Sequence, residues 1–233
     1  MLLGELSYDE VENYVDRPVL FPLGSTEQHG RHAPLSTDSF IAEAMATHVG
    51  EELDVLTLPT LEVGLSQEHR NFDGALYVDA STYRTFLLDL VDSLREFGVE
   101  TVVFVNGHGG NIGALGEVCR RVSRQTDTFA TEWTWWRSVD HGMGHAGFLE
   151  TSLALYLKEE LVDLNDGEDG VDSWGRYVEG STVLYDVDEF SESGVVGSFE
   201  DASVDAGEDI FDEATDSLVR LVEWLDENKS GEG

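Results

Sequence analysis

Thr101-Val102-Val103-Phe104-Val105, followed at once by Asn106-Gly107-His108-Gly109-Gly110-Asn111, is the stretch that decides the fold. A short β-branched and aromatic run without polar alternation reads as a strand buried on both faces. Such strands belong to parallel sheets covered by helices, and a glycine-rich loop directly after one marks the end where ligands bind.

Working outward, the same pairing of buried run and polar loop recurs upstream. Pro18–Leu23 (PVLFPL) predicts a strand that enters Gly24-Ser25-Thr26-Glu27-Gln28-His29-Gly30, and Val55–Leu58 predicts a further strand. Between them Phe40, Ile41, Ala44, Met45, Val49 and Leu53 recur at helical spacing over Ser39–Leu53. A second amphipathic helix carries Tyr83, Phe86, Leu87, Leu90, Val91, Leu94 and Phe97, capped by Ser81 and closed by Gly98. Helices are expected at Ile112–Arg124, Phe148–Leu157 and about Asp205–Asp226, with an acidic surface loop at Asp163–Asp172. The expectation is one α/β domain over residues 1–233, with helices packed on a mostly parallel sheet.

Aspartate and glutamate number 48 against 13 lysines and arginines, a formal net charge of −35, and Lys158 and Lys229 are the only lysines. Phosphate recognition rests on clustered Lys and Arg, so this balance argues against nucleic acid and anionic membranes as partners. The acids are spread along the chain, as in Glu51-Glu52, Asp89/Asp92, Glu159-Glu160, Asp186/Asp188/Glu189 and Asp212/Glu213. Their mutual repulsion weakens the compact state in dilute buffer, whereas molar salt shortens the Debye length to about 3 Å. The pattern is that of a halophilic surface. No apolar run approaches the roughly 18–20 residues that span a bilayer. Met1–Asp16 lacks the basic and apolar regions of a secretory signal, so a cytoplasmic protein is expected. Cys119, the single cysteine, excludes an intramolecular disulfide and reads as a buried helix residue beside Leu115, Val118 and Val122.

Two loops carry the chemistry, and a parallel sheet brings both to one crevice. Glu27 and His29 are two apart in an extended segment, which turns both side chains the same way. Asp38 stands at the start of the next helix, among unpaired N–H groups. With His108 they form an imidazole–carboxylate set that suits Zn, Mn or Fe(II), and the glycines around His108 permit close approach. Singly, Asp38 is a helix cap and His108 a polar loop residue; the combination is what points to a metal. A third cluster, Gly144–Ser152, holds His145 and Glu150. Taken alone it reads better as a capping glutamate beside a surface histidine. His32 and His48 read as structural.

Three segments resemble the creatininase family: LGSTEQHGRHAPLSTDSFIAEAMA (Leu23–Ala46), VFVNGHGGN (Val103–Asn111) and GHAGFLETSLALYL (Gly144–Leu157). Ser66-Gln67-Glu68-His69 with Phe72 and Gly74, and Ser193–Gly197, add to the likeness, which runs in order from about residue 18 to residue 225. The resemblance implies a three-layer α/β/α, creatininase-like fold in a homo-oligomer, a hexamer being the candidate size, with two divalent metal ions (Fe(II), Zn or Mn). It places metal ligands at Glu27, His29, Asp38 and His108, with Asp38 bridging, and the catalytic histidine at His145. Creatinine-hydrolysing members carry a glutamate ligand where this chain has Gly110. That departure weakens the case for creatinine and makes Glu150 the candidate replacement, as ligand and catalytic residue. Ser198-Phe199 stands where many relatives have Asp-Pro.

The implied activity is a metal-dependent hydrolase acting on non-peptide C–N (amide) bonds of a small-molecule substrate. Metal-activated water attacks the carbonyl, and His145 delivers a proton to the leaving nitrogen. The favoured substrate is the formamidopyrimidine ribonucleotide deformylated in archaeal riboflavin and deazaflavin synthesis, with Arg31, Arg70 and Arg137 as candidate phosphate partners. A mycofactocin precursor peptidase and a creatinine amidohydrolase are the alternatives. A non-catalytic metal-binding or assembly protein of the same fold is another. Glu68 or His69 is expected to line the substrate side, and Trp133, Trp135, Trp136 and Trp174 either stack on a heterocycle or pack in the core.

Overall fold

β1 (Val19–Leu23), β2 (Thr101–Asn106) and β3 (Phe129–Thr134) lie side by side in that order, all parallel. The computed structural model describes residues 1–168, 170–175 and 177–228. Successive side chains alternate between two cores, as the period of a strand requires. Val19, Phe21 and Leu23 of β1 and Val102 and Phe104 of β2 meet Tyr83, Leu87, Leu115 and Val118 from α2 (Ala80–Glu96) and α3 (Ile112–Gln125). Leu20, Val103 and Val105 face the opposite core, built from α1 (Thr37–Glu52), α4 (Phe148–Lys158) and α5 (Val204–Glu227). The result is the expected three-layer α/β/α arrangement.

Most expected elements form close to their expected bounds, and three differ for physical reasons. Val55–Leu58 is not a regular strand. The Leu20 N–H donates to Leu56 O at 2.8 Å and the Leu58 N–H to Leu20 O at 2.8 Å, a single parallel bridge. The ladder then needs a donor at Pro22, which has none. Pairing resumes one residue out of step, with Leu61 N–H donating to Pro22 O at 3.1 Å and Gly24 N–H to Leu61 O at 2.9 Å. The second difference is β3, absent from the sequence expectation because Phe129–Thr134 mixes apolar with polar residues and its first residue is exposed. The third is the start of α2: the helix begins at Ala80 after Asp79, so Ser81 lies inside its first turn rather than capping it. Gly98 ends this helix as expected, at φ +100°.

Asp163–Asp172 forms turns and irregular backbone, with Asp169 outside the described residues, as are residues 229–233 of the expected domain. Burial pushes the Cys119 thiol up to about 12, which suits a structural side chain. No described helix is long and apolar enough to cross a membrane.

The loops after β1 and β2 are held at one end of the sheet. The Gly107 N–H donates to Leu23 O at 2.8 Å. Asn111 spans both loops, donating to Gly24 O at 3.2 Å and accepting from Leu65 N–H at 3.0 Å. A Cβ at Gly107 would lie 2.2 Å from Asp38 O, so only glycine lets β2 pass this close to α1.

Of the acids named above, Glu51, Glu52, Asp89, Asp92, Glu159, Glu160, Asp188, Glu189, Asp212 and Glu213 are exposed and Asp186 is half-buried. Two outcomes follow. Gly107→Ala should destabilise the protein by about 1–3 kcal/mol in denaturant titrations, and a neutral result would show that α1 can yield. The thermal midpoint should climb by about 10 °C or more between about 0.1 M and about 3 M KCl; a salt-independent midpoint would refute the repulsion account.

Candidate metal centre

Glu27 and His29 follow β1, Asp38 sits in the first turn of α1, and His108 follows β2. His145 and Glu150 enter from the other side, at the start of α4. All six are between 0% and 5% exposed. The structure therefore brings the four expected metal ligands, His145 and Glu150 into one buried cluster.

Asp38 stands at its centre. Its Oδ1 lies 3.1 Å from His29 Nε2 and its Oδ2 3.0 Å from His108 Nδ1. Glu27 Oε2 is 3.1 Å from the same His108 nitrogen, and Glu27 Oε1 is 3.8 Å from His145 Nδ1. Glu150 Oε1 is 3.8 Å from His29 Nε2. Both histidines facing Asp38 are held from behind by backbone carbonyls: His108 Nε2 donates to Leu65 O at 3.1 Å, and His29 Nδ1 to Glu27 O at 3.3 Å. Each ring thus turns its other nitrogen toward the carboxylates, as a hydrogen bond at the far nitrogen orients a metal-binding imidazole.

Glu150 joins the two sequence readings of that position. Its Oε2 accepts the Ala146 N–H at 2.5 Å ahead of α4, the capping role, while its Oε1 faces His29. Ala146 takes φ +53° to make that bond. His145 is fixed by an antiparallel bridge to Val196, its N–H donating to Val196 O at 2.9 Å and its carbonyl accepting the Val196 N–H at 2.9 Å.

The electrostatics follow from burial set against close opposite charges. Burial works to raise the Glu27 carboxyl, but His108, His69 and His145 outweigh it and hold it well below its usual range. Burial and Glu27 push Asp38 the same way, and His29 and His108 reverse the sign. Burial lowers His29 and His108 too, yet their carboxylate neighbours bring both well above the ordinary histidine value. His145 is lowered by burial and by His29.

Three sets of side chains could each hold an ion, their ligand atoms all within 4.8 Å of one another: Glu27/Asp38/His108, His29/Asp38/Glu150 and Glu27/His29/His145. The donor chemistry fits divalent cations. Both oxygens of Glu27 and Oδ2 of Asp38 are buried without a hydrogen-bond donor, a costly state that a cation relieves.

A cavity of about 400 Å³ opens onto the cluster, lined by Glu27, Glu68, His108, His145, Glu150 and Trp174, among others. A second cavity of about 280 Å³ adjoins it, and the two share Met143, Gly144, Glu150 and Trp174. A Cβ on Gly110 would lie 2.1 Å from Leu65 O and 2.5 Å from His108 Nε2, so the backbone here leaves no room for a side chain at that position.

Several expectations change in the structure. Glu68 lines the cavity, but His69 is fully buried, with Nε2 3.2 Å from Glu27 Oε1. Trp133 and Trp135 pack in the core, whereas Trp136 and Trp174 line the cavity. The arginines expected near the site do not line it: Arg31 is exposed, Arg70 pairs with Asp186 at 2.5 Å, and Arg137 pairs with Glu132 at 2.8 Å. His32 is buried against Thr151 Oγ1 at 3.0 Å and stacks on Phe199. His48 is half exposed beside Glu52. Gln28, which no pattern in the sequence singles out, lies buried among the site histidines.

Comparison with known proteins gives this arrangement a lineage. The profile of the creatininase family (creatinine amidohydrolase) matches residues 4–222. The mycofactocin precursor peptide peptidase of Mycobacterium ulcerans (strain Agy99) is 33% identical over 216 residues, covering 88% of this chain and 85% of its own. Creatinine amidohydrolase of Pseudomonas putida is 26% identical over 194 residues, 71% of this chain and 75% of its own. The 2-amino-5-formylamino-6-ribosylaminopyrimidin-4(3H)-one 5'-monophosphate deformylase of Methanosphaera stadtmanae is 27% identical over 109 residues, 46% of each chain. A solved creatininase structure described with Mn superposes with a TM-score of 0.81 at 25% identity over 98% of both chains. The chain belongs to the creatininase family, and it is a hydrolase of C–N amide bonds.

Proposed function

We propose that this protein is a divalent-metal-dependent amidohydrolase whose substrate is a short peptide, cleaved at an amide C–N bond. The observation that carries the metal reading is the set of buried carboxylate oxygens without donors, facing histidines braced from behind. Two features support the peptide over the nucleotide. The mycofactocin peptidase likeness spans 88% of the chain, against 46% for the deformylase. The two adjoining cavities together offer an extended cleft walled by Trp136, Met143 and Trp174, and among the described residues none that lines them is a lysine or arginine.

Glu27, Asp38 and His108 would hold one ion, and His29, Asp38 and Glu150 the other, with Asp38 common to both. Bound there, divalent ions supply Lewis acidity that makes water nucleophilic near neutral pH and draws charge from a carbonyl oxygen. Burial and His29 lower His145, which favours its uncharged form, the form that can take a proton from the attacking water. It then passes that proton to the leaving nitrogen as the C–N bond breaks. Water's hydroxyl ends on the carbonyl carbon and its proton on the amine. Trp174, 5.8 Å from the His145 ring, lines the cavity beside the transferring proton.

The decisive assay incubates the metal-loaded protein in molar KCl with mycofactocin precursor peptide, and separately with the formamidopyrimidine nucleotide. Peptide cleavage should appear by mass spectrometry and fall about 1,000-fold or more in Asp38→Asn. Formate from the nucleotide without peptide cleavage would transfer the function to the deformylase; finding neither product would remove both substrates and leave the amide hydrolase with another. A second outcome concerns protons. His29 and His108 sit above their usual value, so they hold protons that an incoming ion must displace. Zn(II) affinity should therefore rise with pH through and above neutrality, with proton release visible by calorimetry in buffers of different ionisation enthalpy. A pH-independent affinity with no proton release would contradict this ligand set.

A further inference from the structure

Gln28 lies between Glu27 and His29, yet its side chain turns away from Asp38 into a seat of its own. The amide oxygen accepts the Gly30 N–H at 2.8 Å, which fixes which end of the amide is which. The amide nitrogen, 2.9 Å from Gly194 O, is then within reach of two rings, 3.0 Å from His69 Nδ1 and 2.9 Å from His145 Nε2. The seat is closed around it. Gly194 takes φ +78°, and a Cβ there would lie 2.1 Å from the Gln28 amide oxygen.

Counting hydrogens decides among these contacts. His145 Nε2 also lies 2.7 Å from the backbone carbonyl of Gln28, which can only accept. His145 Nε2 must therefore carry a hydrogen and donate it there, so it cannot accept from the amide. The two amide hydrogens go to Gly194 O and to His69 Nδ1. His69 Nδ1 then bears a lone pair, its hydrogen lies on Nε2, and the ring is uncharged. That N–H approaches Glu27 Oε1 at 3.2 Å, too obliquely for a straight hydrogen bond. In His145 the remaining nitrogen, Nδ1, faces Glu27 Oε1 at 3.8 Å and Glu150 Oε2 at 4.0 Å, on the side of the cavity.

We propose that Gln28 is a positioning residue that sets the tautomers of His145 and His69, its backbone carbonyl holding His145 by the Nε2 hydrogen and its amide holding His69 by the Nδ1 lone pair. His145 thereby presents Nδ1, the nitrogen free to take and return a proton, to the reacting atoms. The same amide ties the Gly194 turn to the site, and Val196 beyond that turn bridges the His145 backbone. One residue thus holds His145 through its backbone and His69 through its side chain. This rests on the catalytic role given to His145, but the tautomers can be read without any turnover.

The test is long-range nitrogen–proton NMR on Zn(II)-loaded protein labelled with 15N at its seven histidines. In the parent protein both His69 and His145 should be protonated at Nε2 with an unprotonated Nδ1. In Gln28→Glu the new carboxylate can accept but not donate, so the His69 hydrogen should move to Nδ1. Turnover of the Gln28→Glu protein should fall about tenfold in kcat, with KM within about twofold of the parent. A hydrogen on Nδ1 of either ring in the parent would overturn the proposal. So would a His69 tautomer unchanged in Gln28→Glu. If Gln28→Glu does not fold, the parent spectrum alone decides. Correct tautomers with no peptide cleavage would sink the proposed substrate and leave this assignment standing.

Discussion

Asp38 meets two histidines from opposite sides, and most of the site's structure exists to make that contact hold. A carboxylate and its neighbours removed from water lose several kcal/mol of solvation each unless charge and hydrogen bonds replace it. Here the replacement is drawn from separate parts of the chain: His29 from the loop after β1, His108 from the loop after β2, and Asp38 itself from the first turn of α1. The parallel sheet is what brings these loops to one end. The close approaches at Gly107 and Gly110 are what allow them to meet without a side chain between them.

The protein's charge has two regimes. Outside, a net −35 is spread over exposed acids that salt can screen. Inside, buried carboxylates face imidazoles at about 3 Å, where salt does not reach and solvent offers little compensation. The outer charge governs stability and solubility; the inner charge governs which protons and cations the site retains. The described lining of the cavity inherits this division: it holds no lysine or arginine, and Arg70 and Arg137 are taken up by Asp186 and Glu132.

Much of the site was legible because its residue types are improbable together. Glu27, His29, Asp38 and His108 each follow or start a regular element, with glycine after His29 and on both sides of His108, and pattern alone placed those elements. Residues whose roles depend on side chains crossing the molecule were not legible. Gln28 shows no periodicity that marks it, and its partners are 41, 117 and 166 residues away. His69 was expected to line the substrate side, and only packing reveals that it stands behind Glu27 instead. Glu150 was open between cap and ligand because both uses need a carboxylate at the start of a helix, and the structure gives one oxygen to each.

By itself, the sequence determined the strand-to-loop transitions after Leu23 and Val105, the helices whose apolar residues recur at helical spacing, the acidic surface and the family. These are local or compositional properties, carried by neighbouring residues and unchanged by how distant segments meet. Only the tertiary structure decided the interruption of pairing beside β1 by Pro22, the addition of β3, the division of the tryptophans between core and cavity, and the seat of Gln28. Each depends on which atoms from remote segments come within a few ångströms, and hydrogen-bond partners and burial are set at that distance.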